Sequence, residues 1–229
     1  MISVSVIVPA YNEEATIIHV LEQIARQAVE GFQLSVIVVD DGSKDRTIEK
    51  LEERPELYAK LVKMPRNGGK GAAVKAGLAE ASGAFILFQD ADLEYDPADY
   101  HKLFLPIRCF NADLVMGSRM LAPEYTRVSY FWNKVGNRLI TLIFNVLNNS
   151  TFTDIYSCYL IYKRDLVEPQ ALKSLGWEQH AEILSTATRR AGNIYEVPIN
   201  YHGRTIEEGK KIRAHHIVAV IWMIIKMRF

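Results

Sequence analysis

Residues 84–94 read Ala84-Phe-Ile-Leu-Phe-Gln-Asp-Ala-Asp-Leu-Glu94. A short apolar run, Ala84–Gln89, ends abruptly in acids at alternate positions, Asp90, Asp92 and Glu94. A continuous run of this length suits a strand buried on both faces. Working outward, Ser3–Pro9 is a β-branched run leading into Pro9-Ala-Tyr-Asn-Glu-Glu14. Leu34–Asp40 leads into Val39-Asp-Asp-Gly-Ser-Lys-Asp-Arg-Thr47, and Leu61–Met64 and Asp113–Met116 read as further strands. Helical spacing fills the gaps: Glu13–Ala28 through Ile17, Val20, Leu21 and Ile24, a helix from near Asp45 through Ile48 and Leu51, and Gly71–Ser82. This alternation predicts an α/β, doubly wound, mostly parallel twisted sheet flanked by helices, with ligands beyond the carboxyl ends of the strands. Further on, the pattern predicts helices over Val128–Leu147, Glu178–Ala191 and Ala214–Met227, strands over Tyr156–Tyr162 and Ile194–Asn200, and a loop over His202–Ile212. No repeat or linker divides the chain, so residues 1–229 are expected to form one domain.

The 229 residues are 49% hydrophobic and 24% charged, which excludes a disordered chain. Cys109 and Cys158 are too few and too far apart for a disulfide framework or a Cys-rich zinc site, which predicts a reducing compartment. Met1 leads straight into a strand with no basic n-region, so no signal peptide is expected. The longest apolar run, Ile217–Ile225, has nine residues, about half of a membrane span. Net charge is zero, but residues 1–118 carry 12 Lys+Arg against 18 Asp+Glu, and residues 119–229 carry 15 against 9. The split is either solvated surface unevenly distributed, or an acidic half that holds a cation and a basic half that holds anions.

Each strand end offers chemistry. Clustered carboxylates repel one another, and a divalent cation removes that repulsion. Asp90, Asp92 and Glu94 are hard oxygen donors suited to Mg²⁺ or Mn²⁺, although Asp-X-Asp also starts ordinary turns. In Asp40-Asp-Gly-Ser-Lys-Asp45, Ser43 or Asp45 can cap the next helix and Gly42 can supply a turn, while Asp41 can face a base or ribose hydroxyl. Asn67-Gly-Gly-Lys-Gly71 precedes a helix and lacks P-loop spacing. It reads as a loop under an anion or as a plain tight turn. The six histidines show no metal spacing, and neither cysteine is assigned a catalytic role.

Four later segments complete the pattern: Gly117-Ser-Arg119, Thr153-Asp154, Glu196-Val-Pro-Ile-Asn-Tyr201 and Gly203-Arg-Thr-Ile-Glu-Glu-Gly-Lys-Lys-Ile212. Together with the three strand-end motifs, and in the same order, they resemble the family-2 glycosyltransferases of GT-A fold over nearly the whole chain. The likeness is to the polyprenyl-phosphate branch, which includes dolichol-phosphate mannose synthases and dolichol- or undecaprenyl-phosphate glucosyltransferases. The resemblance implies a Rossmann-like sheet with C-terminal amphipathic helices. It implies nucleotide-sugar contacts at Pro9, Tyr11, Glu13, Asp41, Lys70, Asp90 and Ala91. Asp90, Asp92 and Glu94 would hold Mg²⁺ or Mn²⁺, with Glu94 standing where many synthases of the branch carry Gln. Arg119 would meet the acceptor phosphate, with Arg138 as a second contact. Arg204 and Lys210 would close over the donor diphosphate from a loop at about 202–212, with Gly203 and Gly209 as hinges.

The implied reaction is inverting transfer of a hexose from a nucleoside diphosphate sugar, of GDP-mannose or UDP-glucose type, to a polyprenyl phosphate. Asp92, Asp154 and Arg119 are the expected catalytic residues. A phosphate monoester is largely dianionic near neutrality, so Asp154 is expected to orient the acceptor or balance the arginines. With a hydroxyl acceptor, Asp154 would instead be a general base. The competing readings are transfer to a glycerolipid, glycan or modified nucleobase, and a non-catalytic sugar-nucleotide-binding subunit. A polyprenyl acceptor implies contact with a membrane surface, peripheral at the cytoplasmic face or through a membrane-anchoring partner. Helix 128–147, with Tyr130, Phe131 and Trp132, and segment 214–229, with Trp222, Lys226 and Arg228, either lie at that surface, pack into the core or form a homodimer contact. No nucleic-acid partner is expected.

Overall fold

The computed structural model describes residues 1–122, 124, 127–128, 131–204 and 216–228. The strands are β1 (Ile2–Ala10), β2 (Phe32–Asp40), β3 (Lys60–Lys63), β4 (Phe85–Phe88), β5 (Leu114–Ser118), β6 (Leu160–Lys163) and β7 (Ile194–Pro198). The helices are α1 (Ile17–Ala25), α2 (Thr47–Glu52), α3 (Lys70–Glu80), α4 (Tyr100–Phe110), α5 (Phe131–Asn148), α6 (Gln179–Arg190) and α7 (His216–Lys226). The strands form one sheet in the order β3-β2-β1-β4-β6-β5-β7. Only β6 is antiparallel to its neighbours.

This order decides where a ligand can sit. From β1 the chain steps outward to β2 and β3, then returns to place β4 on the other side of β1. The crevice at that reversal lies beyond the carboxyl ends of β1, β2 and β4. Because β5 and β7 run parallel to β4, their ends reach the same edge, and so does the segment entering the reversed β6. Every motif singled out above, up to Arg204, therefore emerges on one rim of the sheet.

The core is the double-sided packing expected of such a sheet. Val4, Val6, Ile7 and Val8 of β1, Val38 and Val39 of β2 and Leu87 of β4 are fully buried or nearly so. Helix α3 rides close to β1 because Gly77 faces Ile7: a Cβ there would lie 2.6 Å from the Ile7 Cγ2.

Several boundaries differ from the sequence pattern. The first helix begins at Ile17, since Glu13–Thr16 forms a turn joining β1 to it. The strand expected over Tyr156–Tyr162 begins only at Leu160, because residues 154–159 loop around the buried Asp154. Helix α5 begins at Phe131, with Val128 exposed outside it. Helix α4 matches no expected element. Its interior Pro106 removes a backbone bond, and burial of Tyr100, Leu103, Phe104 and Ile107 holds it instead. Much of the 202–212 loop, with Gly209 and Lys210, lies outside the described residues.

Helix α7 packs against α5 and α6. Val220, Met223 and Ile224 are buried, while Val218, Trp222 and Ile225 are exposed. Among the described residues no helix is long and apolar enough to cross a membrane.

Candidate active site

The ends of β1 and β2 are stitched together by polar side chains. Asn12 and Glu13 donate backbone N–H groups to Ser43 Oγ and Thr47 Oγ1, and Glu14 does so to Asp45. Asp45 also accepts from Thr47 N–H at the start of α2, but it stands one residue before the N-cap Arg46, and neither it nor Ser43 is the capping residue read from sequence. Gly42 has φ +68°, and a Cβ there would meet the Arg66 backbone at 2.6 Å, so the turn needs glycine. Asp41 is buried, and its oxygens accept N–H bonds from Gly68 at 2.7 Å and Gly69 at 3.0 Å. It thereby fixes the Asn67–Gly71 loop at the start of α3. Pro9 is the penultimate residue of β1, half-buried Tyr11 follows the strand, and Glu13 is buried.

Beyond β4, Gln89 makes a rigid floor. Its Oε1 accepts from Tyr100 and Tyr159 hydroxyls, and its Nε2 donates to the carbonyls of Asp90 and Tyr95. Lys70 donates to Asp90 Oδ1 at 2.6 Å and lies over the Trp177 ring at 5.1 Å. Burial opposes the Lys70 charge, but Asp90 outweighs it and holds the ammonium protonated. Ala91 is buried. Leu93 sits at φ +60°, a conformation uncommon for a side chain of its kind. The residues on either side of it meet the same guanidinium. Arg204 donates to Asp92 Oδ2 at 2.7 Å, its backbone N–H reaches Glu94 Oε1 at 2.8 Å, and its side chain lies 3.6 Å from both Glu13 and Glu94. Burial, with the charges of Asp90 and Glu94, pushes the Asp92 carboxyl up to about 7.

These oxygens suit a divalent cation in chemistry. Asp90, Asp92 and Glu94 are hard oxygen donors close together in sequence and on one rim, the donor chemistry that Mg²⁺ and Mn²⁺ take. In this arrangement Lys70 occupies Asp90, the Arg204 side chain Asp92, and the Arg204 backbone N–H with the Tyr201 hydroxyl Glu94, and among the described residues no three His, Cys, Asp or Glu groups converge as metal ligands.

The second cluster joins β5, α5 and β7. Arg119 follows β5 and forms a two-pronged pair with Asp154, Nε to Oδ2 at 2.6 Å and Nη2 to Oδ1 at 2.9 Å. Backbone N–H groups of Arg119 and Tyr156 and the Nδ2 of Asn137 add to the same carboxylate. Asp154 is fully buried. Burial alone would raise its pKa, but Arg119 and these donors hold it below the usual carboxylate value. Glu196 of β7 accepts from Thr153 and Asp154 N–H and from the Thr153 hydroxyl. Tyr201 lies beneath the Arg119 guanidinium at 4.9 Å and donates its hydroxyl to Glu94 at 2.8 Å, linking the two clusters.

The structure thus gathers Glu13, Lys70, Asp90, Asp92, Glu94, Arg119, Asp154 and Arg204 on one rim. Lys210 lies outside the described residues. Arg138 is exposed on α5, and its neighbour Asn137 is the residue that reaches Asp154. Sequence reasoning passed over Asn137, although it is polar and shares helical spacing with the buried Ile140, Thr141 and Phe144. It also assigned no role to Glu196 or Tyr201, although their segment was among the motifs.

Comparison with known proteins agrees with this fold. The chain is 33% identical over 208 residues to the low-salt glycan biosynthesis hexosyltransferase Agl6 of Haloferax volcanii, covering 88% of this chain and 48% of that protein. It is 29% identical over 210 residues to the dolichol-phosphate mannosyltransferase of Pyrococcus furiosus, covering 90% of this chain and 58% of that protein. The chain therefore spans only about half of each relative's length. Glucosyl-3-phosphoglycerate synthase of Mycobacterium tuberculosis, solved with Mn²⁺, UDP-glucose and phosphoglyceric acid, shares the fold with TM-score 0.74 at 23% identity, over 99% of this chain and 80% of that one. Residues 5–169 match the sequence model described as Glycosyl transferase family 2, and with well over half of its length matched the chain belongs to that family.

Proposed function

We propose that this chain transfers a hexose, with inversion, from a nucleoside diphosphate sugar of GDP-mannose or UDP-glucose type to a polyprenyl phosphate. The observation that carries the acceptor reading is the state of Asp154. Its two oxygens receive five N–H contacts, which fills the roughly four lone-pair sites of a carboxylate. A carboxylate held ionised and saturated in this way is a poor proton acceptor, so the site favours a nucleophile that arrives already charged. A phosphate monoester does so, with its second pKa near 6. Arg119 uses Nε and one Nη2 hydrogen on Asp154, and the rest of its fork faces the incoming phosphate.

Residues 1–118, together with Arg204, serve the donor, and the rest of the chain serves the acceptor. Pro9, Tyr11, Glu13 and Ala91 line the nucleotide side, Asp41 shapes it through the Gly68–Gly69 loop, and Lys70 and Arg204 supply positive charge near the diphosphate. Asp90, Asp92 and Glu94 would hold Mg²⁺ or Mn²⁺, which when bound supplies charge that stabilises the leaving diphosphate.

The enzyme works at a membrane surface, peripheral at the cytoplasmic face. Support comes from α5 and α7, which pack side by side and expose an apolar face. On α5 the exposed Trp132, Val135, Leu139, Leu142 and Val146 follow one stripe, and α7 adds Val218, Trp222 and Ile225. Trp132 is 76% exposed and Trp222 64%. Every charge on these two helices and the residues just after α7 is basic: Lys134, Arg138, Lys226 and Arg228. An apolar face with a cationic rim suits an anionic bilayer and would repel a second copy of itself.

Arg119→Lys tests the acceptor assignment. It keeps the charge that Asp154 needs and loses the fork. The expected result is a large loss of transfer with nucleotide affinity nearly unchanged by calorimetry. Equal loss of nucleotide affinity would remove Arg119 from the acceptor side.

A further inference from the structure

Arg204 was expected to reach toward the donor, yet its guanidinium is turned inward onto carboxylates. It touches Asp92, approaches Glu13 and Glu94, and its own backbone N–H is tied to Glu94. Its Nε is buried without a hydrogen bond, so the guanidinium is held by charge more than by ideal geometry. Tyr201 braces the same carboxylate of Glu94. Two of the three oxygen donors that suit a divalent cation are therefore engaged by one residue, Asp92 by the guanidinium and Glu94 by the backbone N–H with the guanidinium 3.6 Å away.

We propose that Arg204 is a resident counter-ion of this carboxylate set, and that Arg204 and a divalent cation are alternative occupants of the same oxygens. The inference rests on the reading of Asp90, Asp92 and Glu94 as cation ligands and adds an order of events. A cation entering the site displaces the guanidinium. The freed Arg204 becomes available to an anion arriving on the open side of the rim. Positive charge is retained throughout, so the carboxylates are never left facing one another alone. Donor affinity is thereby made conditional on the cation, because until the cation binds, Arg204 is committed elsewhere.

If Arg204 holds the oxygens for about nine-tenths of the time, apparent cation affinity is reduced about tenfold. Binding of Mn²⁺ alone, without nucleotide, is measured by electron paramagnetic resonance on the parent, Arg204→Gln and Arg204→Lys. Arg204→Gln is expected to bind Mn²⁺ about tenfold more tightly than the parent. Arg204→Lys should fall between them, since an ammonium cannot span both carboxylates. Thermal unfolding gives a second readout: Mn²⁺ should raise the melting temperature of Arg204→Gln more than that of the parent. In the presence of Mn²⁺, the same variant should bind nucleoside diphosphate more weakly. Equal Mn²⁺ affinity in parent and Arg204→Gln, or weaker affinity in the variant, overturns the exchange and leaves the cation reading standing. Absence of Mn²⁺ binding to all three proteins overturns both.

Discussion

Replacing Asp154 with asparagine keeps the size of the side chain and removes its charge. In the parent, the Arg119 side chain is 16% exposed and that of Asp154 is not exposed at all, so water cannot take over the lost role. Removing one member of such a pair costs about 3–5 kcal/mol, because a buried guanidinium is left without compensation. The new amide also brings N–H groups toward Arg119 and Asn137, which are themselves donors. One buried donor without an acceptor adds about 1–3 kcal/mol. The expected loss of about 4 kcal/mol or more is a large part of the roughly 5–15 kcal/mol that keeps a domain folded. Urea unfolding at pH 7 measures it directly, as a lower midpoint with unchanged slope. A companion double variant, Arg119→Met with Asp154→Leu, should be more stable than Asp154→Asn, since it leaves no orphaned charge. A loss below about 1 kcal/mol for Asp154→Asn, as for an exposed pair, would show that breaking the Arg119–Asp154 pair leaves no buried, uncompensated charge. So would a double variant no better than the single one.

Other expectations follow from the same geometry. The Asp154 pKa is depressed, so its stabilising contribution is complete above the ordinary value of 3.8 and is lost as the pH falls below it; Asp154→Asn should lack that part of the acid unfolding profile. Asp92 has the opposite sign. Between 3.8 and about 7 the folded state keeps a proton that the unfolded chain has released, so stability should fall as pH rises across that window, and Asp92→Asn should flatten the fall. Asn137→Leu should lower the turnover number while leaving nucleotide affinity intact, since Asn137 touches only the Asp154 side of the rim. The paired change Trp132→Ser and Trp222→Ser should reduce cosedimentation with vesicles rich in phosphatidylglycerol; unchanged binding would remove α5 and α7 from the docking face.

Much of this site was legible because the chemistry lies at strand ends. A parallel strand is read from a few apolar residues, and whatever follows its carboxyl end must reach the rim. Asp41, Asp90, Asp92 and Glu94 were found in that way. Asp154 was found through a two-residue motif, and its partner Arg119 through another. What the sequence could not supply was pairing across the sheet. That Glu196 of β7 holds Thr153 and Asp154, 43 and 42 residues earlier in sequence, depends on β7 lying beside β5. Nothing local to Asp41 revealed that Gly68 and Gly69 donate N–H groups to its two oxygens. Helix α4 escaped because Pro106 interrupts the pattern that its buried residues otherwise follow. The antiparallel β6 was read too long for a related reason. Tyr156 and Cys158 have the composition of a strand, but their segment wraps Asp154 before pairing begins at Leu160.

The proposed acceptor is a lipid phosphate, and one assay tests it directly. Purified protein with Mn²⁺ or Mg²⁺ would be supplied with UDP-glucose, UDP-GlcNAc or GDP-mannose, with and without dolichyl or undecaprenyl phosphate in vesicles. Nucleoside diphosphate release and the mass of the lipid product would be followed together. Release is expected to require both the cation and the lipid phosphate, with a polyprenyl phosphate hexose as the product. Release that is indifferent to the lipid phosphate, or that proceeds equally with the dephosphorylated alcohol, would contradict it.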